Sequence, residues 1–518
     1  MNQLKQKLAV ASCLIAVPFA LFADEVTLSS PDGKTSITGE LLSFDDTTYV
    51  LDTSIGELRL SRVWTICEGE ACPEPIAELE LAILANGPET NSLLQDLING
   101  FASTQDLIGS PVVDATGAAS SIELLDSAGT EIEGNVDITV QAIGAGFEEL
   151  RSGAADLYLS TTAVPADIAD QAVLAGQPDP RGQGRERVIA LDALVPIVHP
   201  SNPVRAVSLD ELSQIAAGRI KNWSEVGGND APIRMLLPAE GSTLAATFGE
   251  LVLAPNRVRL RRTSERAENE IQAVSAVVAD VNAITITSRS GSGAAEVLPI
   301  RQSCGPLAYA SDFAIKAEEY PLSQRVYTYT SGAAQTSFKT DFLDYMSSEG
   351  AQTLIEGAGY VDQTIELQPI SVQGTRLTSA ILSAGSGVAL ELVQKFAQDL
   401  TSADRLSTTF RFTSASSELD SKSQSDVERM VAYLNTEEAR NREILVIGFS
   451  DNVGRFDLNE RLALLRATSV RDALVAASGG DGLTARIAIS AYGPLAPVGC
   501  NDSANGRESN RRVEIWMR

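Results

Sequence analysis

Short runs that alternate apolar and polar residues fill the chain just after residue 23. The stretch EVTLSSPDGKTSITGELLSFDDTTYVLDTSIGELRLSRVWTI is broken by turn residues at Pro31-Asp32-Gly33, Asp45-Asp46 and Ile55-Gly56. It predicts a small β-meander or open barrel over residues 24–75. A second pattern covers residues 76–368. There, apolar runs such as ELELAILA, NVDITVQAI, ADLYLST, RVIALDALVPIVH and IRMLLPA alternate with helical stretches such as TNSLLQDLINGFAS and FEELRSG. This alternation predicts two α/β lobes built on parallel sheet, with helices on both faces. Residues 369–387, rich in Ser, Gly, Thr and Ala, read as a linker. Val388, Leu392, Phe396 and Leu400 then fall four apart, the mark of a short amphipathic helix that packs on a neighbouring domain. Residues 405–518 read as a compact α+β sandwich. Its strands are RLSTTFRF, REILVIGFS, ARIAISAYG and RRVEIWMR, and its helices are SKSQSDVERMVAYLNTEEA and LNERLALLRATSVRDALVAAS. The second helix is expected to bury Leu458, Leu462, Leu465 and Leu474.

The first 23 residues change the setting. Lys5 and Lys7 precede an apolar run that ends in small residues. This reads as a secretory signal peptide, too short to span a bilayer, and it predicts export. Export permits disulfides. Cys13 leaves with the signal, and Cys67 and Cys72 of CEGEAC are close enough to bond. Cys304 and Cys500 lie in different domains; they could pair and tie those domains together or stay buried and reduced, and the absence of a bond is favoured. The 518-residue chain has a net charge of −28, yet its fifteen basic and fifteen acidic side chains after Asp404 balance. The excess therefore lies upstream, and it argues against nucleic acid or anionic membrane as partners. The one histidine, His199, has no nucleophile partnered with it and reads as a loop or packing residue. No metal-ligand spacing, paired acid and base or nucleotide phosphate loop is visible. The expectation is a non-enzymatic protein with no metal and no cofactor.

Candidate chemistry concentrates in GFSDNVGRFDLNERLALLRATSV, which begins at Gly448. Asp451 lies where strand becomes loop. Asn459 and Arg466 lie two turns apart on one helix face, with Ala463 between them leaving room for a ligand. An exposed carboxylate and guanidinium flanking a gap suit a zwitterion, one accepting from an ammonium and the other gripping a carboxylate. The alternative is a surface ion pair worth about 0–1 kcal/mol. The entry strand FRFTSASSEL, the loop GFSDNVG, the helix LNERLALLRATSV and the ending YGPLAPVGCNDSANGRESNRRVEIWMR resemble the OmpA-like peptidoglycan-binding domain over all of residues 405–518. The resemblance implies that Asp451 and Arg466 hold the amine and carboxylate of diaminopimelate in the peptidoglycan stem. Asn459 and an arginine of the NRR run, Arg511 or Arg512, would support them. Phe449 and Ser450 depart from the family's histidine and threonine.

The stretch LVPIVHPSNPVRAVSLDELSQIAAGRIKNWSEVGG, with EGSTLAATF and EGAGYVD, resembles the phosphate-type periplasmic solute-binding proteins of ABC transporters over about residues 76–368. Such proteins have two lobes that close on an anion. Helix-entry loops are the places where backbone N–H groups and hydroxyls cradle oxyanions. The candidate positions are Thr90, Asn91, Gly144, Gly146, Ser160, Thr161, Gly241, Ser242 and Thr243. The family usually adds arginines where this chain has Pro238 or Glu240, and Thr162. Glu89 sits in the first loop, and a carboxylate repels a dianion at close range. The sequence thus describes a multidomain protein: a small all-β domain, a two-lobed α/β periplasmic-binding-protein fold and an OmpA-like α+β sandwich. It is expected in the periplasm, on the outer-membrane side, held to peptidoglycan. Its middle domain would bind a small solute, phosphate or another oxyanion, or else an envelope protein partner.

Overall fold

A computed structural model describes the chain except for residues 1–24, 31–33, 45–47, 62–64, 70, 73–78, 114–118, 183, 262–263, 332–335, 375–377, 379–387, 389 and 481. The signal-peptide reading and most of the linker reading lie outside the described residues. The chain divides into two compact units, Met1–Pro75 and Ile76–Arg518.

The first unit is one antiparallel sheet. Its strands are β1 (Glu25–Ser29), β2 (Ser36–Phe44), β3 (Thr48–Thr53), β4 (Gly56–Ser61) and β5 (Ile66–Glu68), in the order β4-β3-β2-β1-β5. Strand alternation places Val26, Leu28, Tyr49 and Leu51 together in a core of few residues. A disulfide between Cys67 and Cys72 closes the end of this sheet.

The second unit begins with a ten-stranded sheet. Its strands are β6 (Glu80–Ala85), β7 (Ile108–Val113), β8 (Ala119–Leu125), β9 (Ile132–Val140), β10 (Leu157–Ser160), β11 (Glu186–Val198), β12 (Arg234–Met235), β13 (Ala283–Ser288) and β14 (Glu296–Val297), with a later strand, Ser323–Thr330, in the middle. The expected parallel sheet is found only in part. β6 runs parallel to β9 and β10, and β12 to β13, while the remaining pairs are antiparallel. The reason is β11. Its thirteen residues run through both lobes, pairing first with Ser323–Thr330 and then with β13. A chain that crosses between lobes and returns beside itself must pair antiparallel. Two cores flank the crossing. One gathers Leu93, Leu97, Phe101, Ile138 and Phe342; the other gathers Leu212, Trp223, Phe248, Ile284 and Ile286.

A small hairpin, β15 (Ile300–Arg301) and β16 (Leu307–Ala308), lies on the second lobe, and the central Ser323–Thr330 strand becomes β17. The last sheet comprises β18 (Leu367–Gln368), β19 (Asp404–Arg411), β20 (Ile444–Gly448), β21 (Ile487–Ala491) and β22 (Arg512–Met517), in the order β18-β19-β22-β20-β21. Period-two alternation on β20 sends Ile444 and Val446 to one face and Leu445 and Ile447 to the other. Helices Ser421–Leu434 and Phe456–Ala477 cover the first face. Helix Leu390–Thr401 covers the second, burying Phe396 and Leu400 against Phe449, Tyr492 and Trp516. The amphipathic segment therefore packs on the C-terminal sandwich.

The middle and C-terminal domains are docked. Arg405, fully buried, reaches Glu319 at 2.6 Å, Arg325 reaches Asp420 at 2.7 Å, and Arg429 donates to Gln363 at 2.8 Å. Cys304, in the turn of the β15–β16 hairpin, is bonded to Cys500. The expectation of unpaired cysteines is corrected: docking brings together two residues 196 positions apart.

Candidate ligand-binding sites

Helix Phe456–Ala477 buries Leu474 as expected and half-buries Leu462, but turns the other two leucines outward. Leu458 and Leu465 are 54% and 59% exposed, whereas Asn459, Ala463, Arg466, Ala467, Val470 and Leu474 face inward. Close approach to β20 decides this. A Cβ on Gly448 would lie 2.0 Å from the Ala463 carbonyl oxygen, so small residues must meet at that crossing. Ala463 makes room for the sheet, and not for a ligand.

Arg466 is carried inward with that face and is fully buried. Its Nε donates to the Ser416 carbonyl at 2.9 Å and its Nη2 to the Thr413 carbonyl at 3.0 Å, while Nη1 makes no hydrogen bond. The guanidinium lies 5.3 Å from the centre of the Phe412 ring. Its pKa is lowered to about 10, chiefly by burial and also by the charge of Arg511, with that of Asp451 opposing both. Its two carbonyl partners belong to the loop after β19, where Ala415 holds a left-handed backbone with φ 59°. Non-glycine residues rarely adopt that conformation.

Asp451 accepts from Arg511 Nη1 at 3.0 Å and from the Val453 N–H at 3.0 Å. Asn459 donates to the Val453 carbonyl at 3.0 Å and so braces the same loop. Arg511 also donates to the Phe412 carbonyl. The expected exposed pair is thus corrected in two respects. Arg466 lies beneath a loop, and the direct partner of Asp451 is Arg511. Arg512 is corrected as well: fully buried, it pairs with Glu514 at 2.6 Å, donates to the Ala496 carbonyl and stacks 4.1 Å from the Phe449 ring. Phe449 stands where the resemblance expects histidine and serves as that stacking surface.

The candidate residues of the middle domain divide. Ser160, at the end of β10, accepts from Asn86 at 3.2 Å, and Thr243 donates to the same Asn86 at 3.1 Å. Asn86, at the end of β6, therefore ties the two lobes together. Sequence reasoning began one turn later and missed it; the signal was a polar residue placed directly before the Gly87-Pro88 helix entry. Thr90 is buried and donates to the Gly87 carbonyl, while Asn91 is buried beside Gln95. Ser242 caps the short helix Thr243–Phe248, and Gly241 supplies the left-handed turn before it. Gly144 and Gly146 lie inside helix Ile143–Ser152, not in a loop ahead of it. A Cβ on Gly146 would meet the Tyr158 ring at 2.7 Å, so this glycine serves packing. Thr161 turns from Ser160 toward the junction with the C-terminal domain. His199 accepts from the Ser201 N–H at 3.0 Å, a turn contact. Among the described residues, no group of three or more His, Cys, Asp or Glu side chains is placed to hold a metal ion, and no helix is long and apolar enough to cross a membrane.

Comparison with known proteins agrees with this division. Residues 103–349 match the PBP superfamily domain, and residues 411–511 match the OmpA family. Phosphate-binding protein PstS of Bacillus subtilis is 27% identical over 209 residues, covering 38% of this chain and 67% of that protein. Probable lipoprotein YiaD of Escherichia coli is 44% identical over 72 residues, which span 14% of this chain and 32% of that protein. Outer membrane porin F of Pseudomonas aeruginosa is 44% identical over 69 residues, 13% of this chain and 19% of that protein.

Proposed function

We propose that this fusion of a PBP superfamily domain to an OmpA family domain is an exported, non-enzymatic protein of the periplasm, held non-covalently to peptidoglycan by its C-terminal domain. The observation that carries the reading is Arg466, a buried cation with an unpartnered Nη1. A buried charge without a full set of partners is costly, and a carboxylate entering beside the Thr413–Ser416 loop would supply what is missing. Asp451 would then take the ligand's ammonium, sharing or exchanging its bond to Arg511. Asn459 and Arg511 position this carboxylate, and Arg512 supports the sheet below it. The ligand with one ammonium and one carboxylate at its tip is the diaminopimelate of a wall stem. Co-sedimentation of the full chain with isolated peptidoglycan tests this. Asp451→Ala should lower the bound fraction at least tenfold; undiminished sedimentation would refute the assignment.

The middle domain keeps the binding-protein architecture, but the polar cluster between its lobes is neutral. Asn86, Ser160 and Thr243 satisfy one another there. That closure favours a second reading, in which this domain contacts an envelope protein and not phosphate or another oxyanion.

A further inference from the structure

Two lobes joined by crossing strands change their angle by bending those strands. β11 and β17 make that crossing here and pair from Glu186–Tyr329 to Ala193–Ser323. A third segment lies beside them. Val361 bridges to Leu191, and Gln363 Nε2 donates to the Val188 carbonyl at 2.7 Å. This segment runs straight into β18, where Leu367 lies opposite Leu406 of β19. The Ser407 N–H donates to the Glu366 carbonyl at 2.9 Å, and the Glu366 N–H donates to Ser407 Oγ at 3.0 Å. The hinge thus continues directly into the sheet of the C-terminal sandwich.

The sandwich also grips the middle domain on both sides of the crossing. On the second lobe, Cys500 is bonded to Cys304, Arg405 reaches Glu319 at 2.6 Å, and Arg411 donates to the Glu318 carbonyl at 2.7 Å. On the side of the first lobe, helix Ser421–Leu434 meets the start of the crossing strands. Ser421 donates to Glu186, which lies opposite Tyr329 of β17, itself opposite Tyr158 of β10. Asp420, the cap of that helix, accepts from Arg325 of β17 at 2.7 Å, and Arg429 donates to Gln363 at 2.8 Å. Rotation of one lobe against the other would have to part Ser421 from Glu186, β18 from β19, or the Cys304 hairpin from Cys500. The covalent bond excludes the last of these.

We propose that the docked C-terminal domain is a brace across the hinge, which fixes the angle between the lobes and keeps the middle domain from opening and closing. The middle domain is then a rigid platform and not a moving trap. The brace does not depend on peptidoglycan binding, and its test makes no use of that ligand.

Pulsed electron resonance on the full chain tests this, with nitroxides at Leu174→Cys in helix Ala166–Leu174 of the first lobe and Ile271→Cys in helix Glu270–Ala279 of the second, both exposed positions. The intact chain should give one narrow distribution of distances. Ser421→Asp sets a second carboxylate against Glu186, at a helix start where a carboxylate suits the helix itself. Combined with Cys304→Ser/Cys500→Ser, it should at least double the width of the distribution while circular dichroism shows the helix content kept. Cys304→Ser/Cys500→Ser alone should widen it by a smaller amount, and this variant decides the matter if the triple variant does not fold. A broad or two-peaked distribution in the intact chain, or an unchanged width in the folded release variants, would overturn the proposal.

Discussion

The C-terminal pocket and the cleft between the lobes are built from opposite materials. In the C-terminal sandwich buried charges meet opposite charges, except at Arg466, whose partners are carbonyl groups. Arg512 faces Glu514, Arg405 lies 3.5 Å from the same Glu514, and Asp451 meets Arg511. In the cleft, neutral groups close on one another through Asn86. On the crossing strand β11 itself, the buried carboxylate of Asp192 accepts from Ser290 at 2.8 Å and from the Ala193 N–H at 2.7 Å, and it forms no ion pair with a described residue. Burial raises its pKa to about 6, with hydrogen bonds from Ala193 and Ser290 opposing and the charge of Glu270 adding to the rise. Among the described residues, the polar cluster that joins the lobes is neutral, whereas the sandwich holds a charged pocket.

Removing one partner of a buried charge network should have the largest effect. Glu514→Ala removes the carboxylate 2.6 Å from Arg512 and leaves Arg405 with Glu319 alone, and urea unfolding should show a loss of about 3–5 kcal/mol. A loss below about 1 kcal/mol would mean that these charges do not hold the sandwich. The contrasting carboxylate gives a pH signature. With a folded pKa near 6 and an unfolded value near 3.9, Asp192 binds its proton more tightly in the folded chain. Its contribution is fully present below about pH 4 and is lost as pH rises through about 6, on the order of 3 kcal/mol in all. Asp192→Asn should flatten that slope in urea midpoints between pH 4 and pH 7; an unchanged slope would place the titration elsewhere. The smallest expected effect is that of phosphate. A ligand at one hundred times its Kd stabilises by about 2.7 kcal/mol, yet millimolar phosphate should leave the melting temperature unmoved. A clear rise would erase the contrast between the two sites.

Much of this was legible in sequence, and the failures share one cause. Cys67 and Cys72 could be matched because a five-residue separation lets local geometry decide. Cys304 and Cys500 could not, because their meeting depends on how two domains dock. The three-part architecture followed from hydrophobic period. The N-terminal part of the inward face of helix Phe456–Ala477 did not, because Gly448 admits the helix so closely that small residues and Arg466 displaced Leu458 and Leu465. Asp451 and Arg466 were recognisable as residues, but the loop lying over Arg466 and the intervening Arg511 belong to tertiary packing. Asn86 was overlooked because its partners lie on strands and helices far along the chain.

The central claim, recognition of a two-signed tip by Asp451 and Arg466, is tested most directly by calorimetry of the full chain with a soluble stem tripeptide ending in diaminopimelate. The free peptide should bind, and acetylating its side-chain amine or amidating its side-chain carboxylate should each abolish the heat. Equal binding by the amidated and free peptides would contradict the account, because Arg466 would then have no anion to hold.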